Sequence, residues 1–234
     1  MKNIMIRQPG YMPNIGFFKK IQSSDIFVFL DDVQFTKDSF NNRNKIKTIS
    51  NSDWITVPLQ RPVFGKKLNE IVISDTTDWA KKHSDLIYEN YKSASYFSSY
   101  WYEIKKILDS KFSLLLELNL NLIDYFLKIL EIPNNTIKSS ELKTTKTKTE
   151  RLVEICKLLN ATCYVSGKGG QYYMDPTLFK KSNVTLMCEN FIHPKYSQLH
   201  GGFMENLSII DLILNEGPNS AKILKNSEFS QINY

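Results

Sequence analysis

The 234 residues are enough to bury a full hydrophobic core, as one large domain or as two small ones. Charged residues make up 23% of the chain and hydrophobic residues 42%, an ordinary globular composition that excludes a wholly disordered protein. The net charge of +6 comes mostly from thinly spread lysines, with no arginine-rich helix, zinc finger or RNA-binding signature. We therefore expect a small phosphorylated partner and no nucleic acid.

Neither a membrane span nor a secreted protein is predicted. The first residues lack the long apolar segment of a signal peptide. The most apolar later stretch, residues 114–130, is interrupted by charged side chains such as Glu117 and Lys128, which predicts an amphipathic helix. The three cysteines are odd in number and have no CxxC spacing, so neither a zinc site nor a disulfide framework is indicated. These features favour a cytoplasmic protein.

The chain opens with a predicted strand–helix–strand unit. Residues 3–8 predict an apolar strand, and residues 15–22 have apolar side chains at helical spacing. Residues 26–30 form an unbroken apolar run, which is typical of a strand buried on both faces. This order predicts a βαβ unit, in which a helix joins two parallel strands.

Helices are predicted to fill the middle third, after two further strands at 54–59 and 68–73. The three predicted helices cover residues 79–91, 96–108 and 114–130. Their aromatic side chains lie at helical spacing and are predicted to belong to the core. We predict that residues 78–132 form a helical layer or subdomain.

Alternating strands and helices return in the last third. The predicted elements are a helix over 150–160, a strand over 162–166, a helix over 176–181, a strand over 184–187, and a helix followed by a loose end after residue 215. With the opening unit they predict an α/β fold, a Rossmann-like open sheet with βαβ units, in a single domain over residues 1–234.

Polar side chains follow the predicted strands, where open α/β sheets bind their ligands. After the first strand, the run from Arg7 to Phe18 contains Gln8 and Tyr11 among prolines and glycines. After the next strand come Asp31 and Asp32, of which one is expected to face a cleft because neighbouring residues of an extended chain point to opposite faces. That residue can act as a base, a ribose ligand or a metal ligand; a turn or helix cap is the alternative.

Two other polar segments are candidate binding elements. Arg43 lies between two asparagines, an arrangement that suits a bidentate grip on carboxylate or phosphate; a structural pair with Asp31 or Asp32 is the alternative. The glycine-rich loop that begins at Ser166 can cradle an anion with its backbone N–H groups. It has neither Walker A nor GxGxxG spacing, so a plain turn is the alternative. No HxH, HExxH or DxD motif occurs, and no metal site is predicted.

Histidine is the usual proton carrier at neutral pH, and the chain has three: His83, His193 and His200. His83 lies in a predicted helix, where a surface or capping role is the alternative to catalysis. His193 begins a donor-rich loop that includes Tyr196 and Gln198 and precedes two glycines. A loop of this composition suits ligand binding.

The order of these motifs resembles the WbqC-like proteins, a family found in bacterial gene clusters for O-antigen and other surface polysaccharides. The matching segments are collinear and cover nearly the whole chain; they are 8–11 with Pro13 and 16–18, 31–34, 42–47, 54–58, 82–83, 164–167, 193–198 and 207–211. Two positions differ: Arg7 stands where the family usually has histidine, and Asn14 where it usually has tryptophan. Because arginine cannot serve as a base at neutral pH, the first loop is predicted to be a binding wall for an anion.

The resemblance implies the modification of a sugar for a surface glycan, by transfer of an acyl or aminoacyl group such as glycine to an amino sugar. The expected partners are a nucleotide-linked sugar and an acyl donor, with acyl-CoA or another acyl thioester as co-substrate and no tightly bound cofactor. The amine must lose a proton, so a base is needed, and His83, His193 and Asp31 are the predicted catalytic residues. The predicted binding residues are Gln8, Tyr11, Gln34, Asn42, Arg43, Asn44, Ser166, Gly167, Gly170, Tyr196 and Gln198.

In this scheme cationic side chains bind the phosphates of the nucleotide-linked sugar, and the candidates are Arg43, Lys45 and Lys168. Backbone N–H groups at Gly167 and Gly170, or the Gln8 amide, are candidate donors to the tetrahedral oxyanion. Two alternatives stay open: an ATP-dependent, adenylate-forming ligase of the same pathway, and a sugar-nucleotide-binding protein without catalytic activity.

Overall fold

The computed structural model describes residues 1–233, apart from the side chains at positions 171 and 233. Its strands are β1 Asn3–Arg7, β2 Ile26–Phe29, β3 Arg43–Lys47, β4 Ser52–Thr56, β5 Thr136–Lys138, β6 Cys163–Ser166, β7 Thr185–Phe191 and β8 Phe229–Asn233. Its α-helices are α1 Ile15–Gln22, α2 Trp79–Tyr91, α3 Phe97–Asp109, α4 Leu115–Ile129, α5 Lys148–Leu158, α6 Pro176–Lys181, α7 Ile209–Glu216 and α8 Asn219–Asn226. None of these helices is long and apolar enough to cross a membrane.

The central sheet has six strands in the order β5-β2-β1-β6-β7-β8. All neighbouring pairs are parallel except β7 and β8, which are antiparallel. After β1 the chain builds outward on one side through β2 and β5, then returns to β6 on the other side. The order of the strands therefore reverses between β1 and β6, and this switch point is where doubly wound sheets bind ligands. The predicted Rossmann-like α/β fold is confirmed.

The two faces of the sheet carry separate hydrophobic clusters. Met5, Phe27 and Val165 belong to a cluster that continues through α1 and the middle helices α2, α3 and α4. Ile4 and Val28 belong to a second cluster, which is completed by α5 and α6. Alternate residues of one strand thus pack on opposite layers, as expected for strands buried on both faces.

Helix α1 begins where its sequence predicts. The Asn14 side chain accepts a hydrogen bond from the Phe17 N–H at 3.2 Å, which caps the first turn. Gly16 allows close packing on the sheet, because a Cβ there would lie 3.2 Å from the Phe191 ring. The middle helices lie within a few residues of their predicted bounds, and Phe126 of α4 meets Phe18 of α1 edge to face.

Several predictions outside the main helices are wrong. Residues 68–73 form no strand: Leu68–Glu70 is a 3-10 turn, and residues 72 and 73 make only isolated bridges. The predicted strand at 54–59 begins earlier and pairs with β3, which the sequence analysis treated only as a polar cluster. The expected loose end contains β8. β5 and β8 lie at the sheet edges, where weak apolar patterning leaves little local signal.

Candidate functional site

A cleft of about 420 Å³ opens at the carboxyl end of β1, next to the switch point of the sheet. Its walls come from the loop that leads from β1 into α1, from residues 39–41 and Asn44, and from Tyr173 in the segment after β6. The loop walls are joined by a hydrogen bond from the Tyr11 N–H to the Phe40 carbonyl at 3.0 Å. The volume falls in the range of small-molecule sites.

Positive charge gathers in this cleft. Arg7, the last residue of β1, is exposed and has no carboxylate within ion-pair distance among residues 1–233. Lys20 of α1 lines the same cleft and lies 3.1 Å from the Glu189 carboxylate. Burial lowers the pKa of Lys20, Glu189 opposes that shift, and the charges of Arg7 and Lys168 lower it further. Of the two cations that line the cleft, Lys20 is paired with one carboxylate and Arg7 is unpaired, so the cleft favours an anionic ligand.

Most amides around the cleft hold its walls together. Asn41 Nδ2 donates to the Pro9 carbonyl at 3.1 Å, and Asn44 Nδ2 donates to the Met12 carbonyl at 2.7 Å. Gln8 differs, because its side chain has no hydrogen-bond partner in the described part of the chain. Of the predicted binding residues, Gln8 and Asn44 therefore both line the cleft, but only the Gln8 amide is left to bind a ligand.

Two aromatic side chains stand at the rim. Phe40 is 57% exposed and Tyr173 is 71% exposed, although both line the cleft. Exposed aromatic faces beside a cationic floor suit a ligand with a base or a sugar ring next to its anionic group. The sequence analysis did not single out either residue as part of the site.

His83 lies behind the first loop, away from the cleft walls. Only 6% of the residue is exposed, and its Nδ1 is 2.9 Å from the hydroxyl of the fully buried Tyr11. Burial lowers the pKa of His83 to about 4, while a hydrogen bond to the Thr56 backbone acts in the opposite direction. The imidazole is therefore neutral at physiological pH and packed against Trp79. Its predicted catalytic role stays a prediction, and the contacts describe a buried, partnered side chain.

The buried imidazole makes the stability of the protein depend on pH. Because its folded-state pKa of about 4 lies below the ordinary 6.5, the unfolded chain binds more protons between these values. His83 therefore contributes stability above pH 6.5 that is lost as the pH falls toward 4, by up to about 3 kcal/mol. We expect His83→Gln to flatten the decline of the free energy of unfolding over this interval, measured by urea denaturation at successive pH values. An unchanged slope would contradict the assignment.

Asp31 and Asp32 form a structural clamp. Asp31 is buried and accepts hydrogen bonds from the Ser140 N–H at 2.9 Å and the Ser140 hydroxyl at 2.7 Å. Asp32 binds Nη2 of Arg151 through both carboxylate oxygens, at 2.5 and 2.6 Å. Burial alone would raise the pKa of Asp32, but the bonds from Ser139 and Arg151 outweigh it and hold the pKa below its usual value. The clamp ties the ends of β2 and β5 to α5.

The clamp leaves neither aspartate on the cleft. Asp31 is one of the predicted catalytic residues, and its contacts are those of a structural carboxylate. No group of three or more His, Cys, Asp or Glu side chains within residues 1–233 is arranged to hold a metal ion.

Three other predicted binding residues, Gln34, Asn42 and Arg43, face other partners. Arg43 is paired with Asp38 at 3.3 Å and lies over the Trp54 ring, 4.5 Å from its centre. Asn42 donates to the Val57 carbonyl at 2.9 Å. Gln34 lines a separate, more open cleft with residues 61–64. These residues are not brought to the cleft at the switch point.

The loop from His193 to Gln198 joins a buried polar network. Its Gln198 Oε1 accepts from Lys47 Nζ at 3.2 Å, and Lys47 also donates to the Gly201 and Gly202 carbonyls. Nearby, the Tyr91 hydroxyl donates to Asp211 at 2.8 Å. Burial raises the pKa of Asp211, while bonds from Tyr91 and other partners counteract it. The network docks this loop onto the hairpin.

Two predicted residues of this loop lie at or near the network. Tyr196 is largely enclosed, and burial raises the pKa of its hydroxyl. His193 packs between aromatic rings, and its Nε2 lies 3.3 Å from the Asn206 N–H. Burial lowers the pKa of His193. None of the residues of this loop is among those that line the cleft.

The glycine-rich loop reaches the switch point at one position. Gly167 lies beside Arg7, since a Cβ there would be 2.9 Å from Nη1 of the guanidinium. Close packing favours glycine at position 170, because a Cβ there would lie 2.5 Å from the end of the Met174 side chain and 3.1 Å from the Ser166 side chain. The predicted loop is a 3-10 turn over Lys168–Tyr172.

Two residues at the cleft were not predicted from the sequence: Lys20, which lines it, and Glu189, which is paired with Lys20. Lys20 lies one helical turn after Gly16, on the face of α1 that meets β7, and this spacing was the available signal. Glu189 was missed because the predicted strand ended at residue 187, whereas β7 continues to Phe191. The apolar pattern of β7 stops in the part of the strand that pairs with β8.

Comparisons with known proteins identify the family of the chain. The model of the WbqC-like protein family matches residues 8–223. The uncharacterized protein Rv1507c of Mycobacterium tuberculosis (strain ATCC 25618 / H37Rv) is 35% identical over 228 residues, which cover 96% of this chain and 98% of that protein. No solved structure gives a significant match. On the family match and this identity over nearly the full length, the chain belongs to the WbqC-like protein family.

Proposed function

We propose that the protein is an acyl or aminoacyl transferase that acts on a nucleotide-linked amino sugar, in the biosynthesis of a surface polysaccharide. The observation that carries the proposal is the unpaired guanidinium of Arg7 at the switch point of a Rossmann-like sheet. Nucleotide phosphates bind at this position in doubly wound folds. In this chain the positive charge of a side chain takes part in holding them.

The surroundings of Arg7 support a ligand with two parts. Lys20 and Gln8 add a second cation and a free amide on the cleft floor, where diphosphate oxygens would be held. Phe40 and Tyr173 offer exposed rings at the rim, where a base or sugar can stack. An acyl thioester is the expected donor, because its carbonyl reacts with an amine without prior activation by ATP.

A mass-resolved transfer assay tests the proposal. The protein is incubated with a panel of acyl-CoA donors, glycyl-CoA included, and with UDP- or dTDP-linked amino sugars. We expect an amide product with the mass of the sugar nucleotide plus the acyl group. We expect no product when the nucleotide-linked sugar has a hydroxyl in place of the amine. No product with any pair would contradict the transferase, and dependence on added ATP would favour the adenylate-forming alternative.

Binding without turnover is the outcome expected of a sugar-nucleotide-binding protein. Thermal denaturation with and without ligand measures binding separately, since a ligand at about 100 times its Kd adds about 2.7 kcal/mol to the stability. Stabilisation by a sugar nucleotide without any amide product would therefore indicate a sugar-nucleotide-binding protein and contradict the transferase.

A further inference from the structure

Glu189 contacts Lys20, one of the cations that line the cleft, and also lies close to Gly167. Its Oε1 is 3.1 Å from Lys20 Nζ and 3.5 Å from the point where a Cβ of residue 167 would lie. The same point is 2.9 Å from Arg7 Nη1. A carboxylate and an unpaired guanidinium therefore flank one gap at the end of β6.

The second oxygen of this carboxylate lacks a donor. Only 8% of Glu189 is exposed, and its Oε2 is buried without a hydrogen-bond partner in the described part of the chain. An ionised carboxylate accepts about four hydrogen bonds, and leaving a buried acceptor unpaired is unfavourable. The Glu189 carboxylate therefore has hydrogen-bond capacity that no described residue uses.

The gap exists because residue 167 has no side chain. Gly167 has φ −70° and ψ 158°, a conformation that any residue adopts, so the backbone does not require glycine. A side chain at position 167 would instead fill the space between Arg7 and Glu189. An anion held by Arg7 would thus place the neighbouring part of the ligand beside the Glu189 carboxylate, whose Oε1 borders the gap.

We propose that Glu189 binds the acceptor amine of the sugar and takes its proton during transfer; this rests on the proposed function. The ammonium N–H gives its proton to the Glu189 carboxylate, and the freed lone pair attacks the thioester carbonyl carbon. The tetrahedral intermediate then collapses to the amide with cleavage of the C–S bond, and the second amine proton leaves with the thiol. The proton on Glu189 returns to solvent.

The arrangement suits this role better than the two histidines do. Lys20 pairs with Oε1 and balances the charge of Glu189, and the carboxylate keeps unused acceptor capacity for an amine. His83 is buried against the Tyr11 hydroxyl and His193 packs among aromatic rings, whereas Glu189 contacts Lys20, which lines the cleft.

Calorimetric titration with UDP-glucosamine and UDP-glucose tests amine binding without requiring turnover. The two probes differ only in an amine or a hydroxyl at one carbon. We expect the wild-type protein to bind UDP-glucosamine about 10-fold more tightly, and Glu189→Gln to lose this preference while its affinity for UDP-glucose is retained. Equal affinities of the wild-type protein for both probes would overturn the role of Glu189.

A second pair of variants tests the gap and leaves Glu189 in place. Gly167→Ala introduces a methyl group between Arg7 and Glu189 and is expected to weaken both probes at least about 10-fold. Gly169→Ala is the matched control, because a Cβ there meets nothing within 4 Å. Circular dichroism establishes that each variant is folded. Unchanged binding by Gly167→Ala would place the ligand elsewhere and overturn the proposal.

The transfer assay separates the two proposals. Glu189→Ala is expected to lower the rate of amide formation by about 100-fold or more, and added formate is expected to restore part of it by supplying a carboxylate. An active wild-type protein with an equally active Glu189→Ala variant would overturn only the role of Glu189. A wild-type protein that binds neither probe would overturn the proposed function itself.

Discussion

Replacing Arg7 with glutamine is expected to weaken the binding of UDP to the protein by about 10- to 100-fold. Arg7 is the cleft cation without a carboxylate partner among residues 1–233, so its guanidinium is free to bind a phosphate. Hydrogen bonds to charged groups contribute about 1.5–3 kcal/mol each, which corresponds to this loss in affinity. Isothermal titration at low and at moderate salt measures it, and the difference between the proteins should shrink as salt rises.

Arg61→Gln is the matched control, since it removes the same charge from an exposed arginine at the other cleft, with residues 34–37 and 62–64. We expect its affinity for UDP to equal that of the wild-type protein. If Arg61→Gln lost binding and Arg7→Gln kept it, the nucleotide would bind in the cleft around Gln34, and the site at the switch point would be wrong.

Replacing Lys47 with methionine is expected to lower the free energy of unfolding by about 3 kcal/mol. Lys47 is only 3% exposed, and its Nζ donates to Gln198 and to the carbonyls of Gly201 and Gly202. Methionine fills a similar volume but leaves these acceptors unpaired and removes the positive charge near Asp211. For a chain of this size the loss corresponds to a decrease in Tm of about 6–12 °C, measured by calorimetry.

Lys45→Met provides the comparison on the same strand. Lys45 lies two residues earlier in β3, with its Nζ 5.1 Å from the centre of the Trp54 ring, and it has no part in the polar network. We expect its substitution to change the stability by less than about 1 kcal/mol. Equal losses from both variants would show that the network around Lys47 contributes nothing specific.

The opening of the fold could be predicted because its signals are local. The apolar run at residues 26–30 and the Asn14 cap before α1 are determined by side chains within a few residues of one another. The same holds for the three middle helices and for α6. β8 and β5 could not be predicted in this way, since edge strands owe their conformation to β7 and β2, which are distant in sequence.

The residues of the candidate site also divide into those whose proximity follows from the fold class and those that only tertiary packing brings together. Gln8 and Gly167 follow parallel strands, and the carboxyl ends of such strands meet at one edge of a sheet, so their nearness follows from the fold class. Glu189 and Lys20 come from β7 and α1, and only packing of the helix on the sheet brings them within 3.1 Å. Asp31 and Tyr196 have equally polar surroundings in sequence, but tertiary contacts bury them in structural networks.

By itself the sequence determined the α/β class, the first βαβ unit, the family resemblance and the polar, turn-rich character of the loop after β1. Strand and helix periodicity and turn chemistry act over a few residues, and that is the range a sequence pattern reports. The tertiary structure decided which polar residues remain free. Arg7, Gln8 and Glu189 Oε2 have no partner in the part of the chain that the structure describes, and which polar groups stay unpaired is decided only when the whole chain is folded.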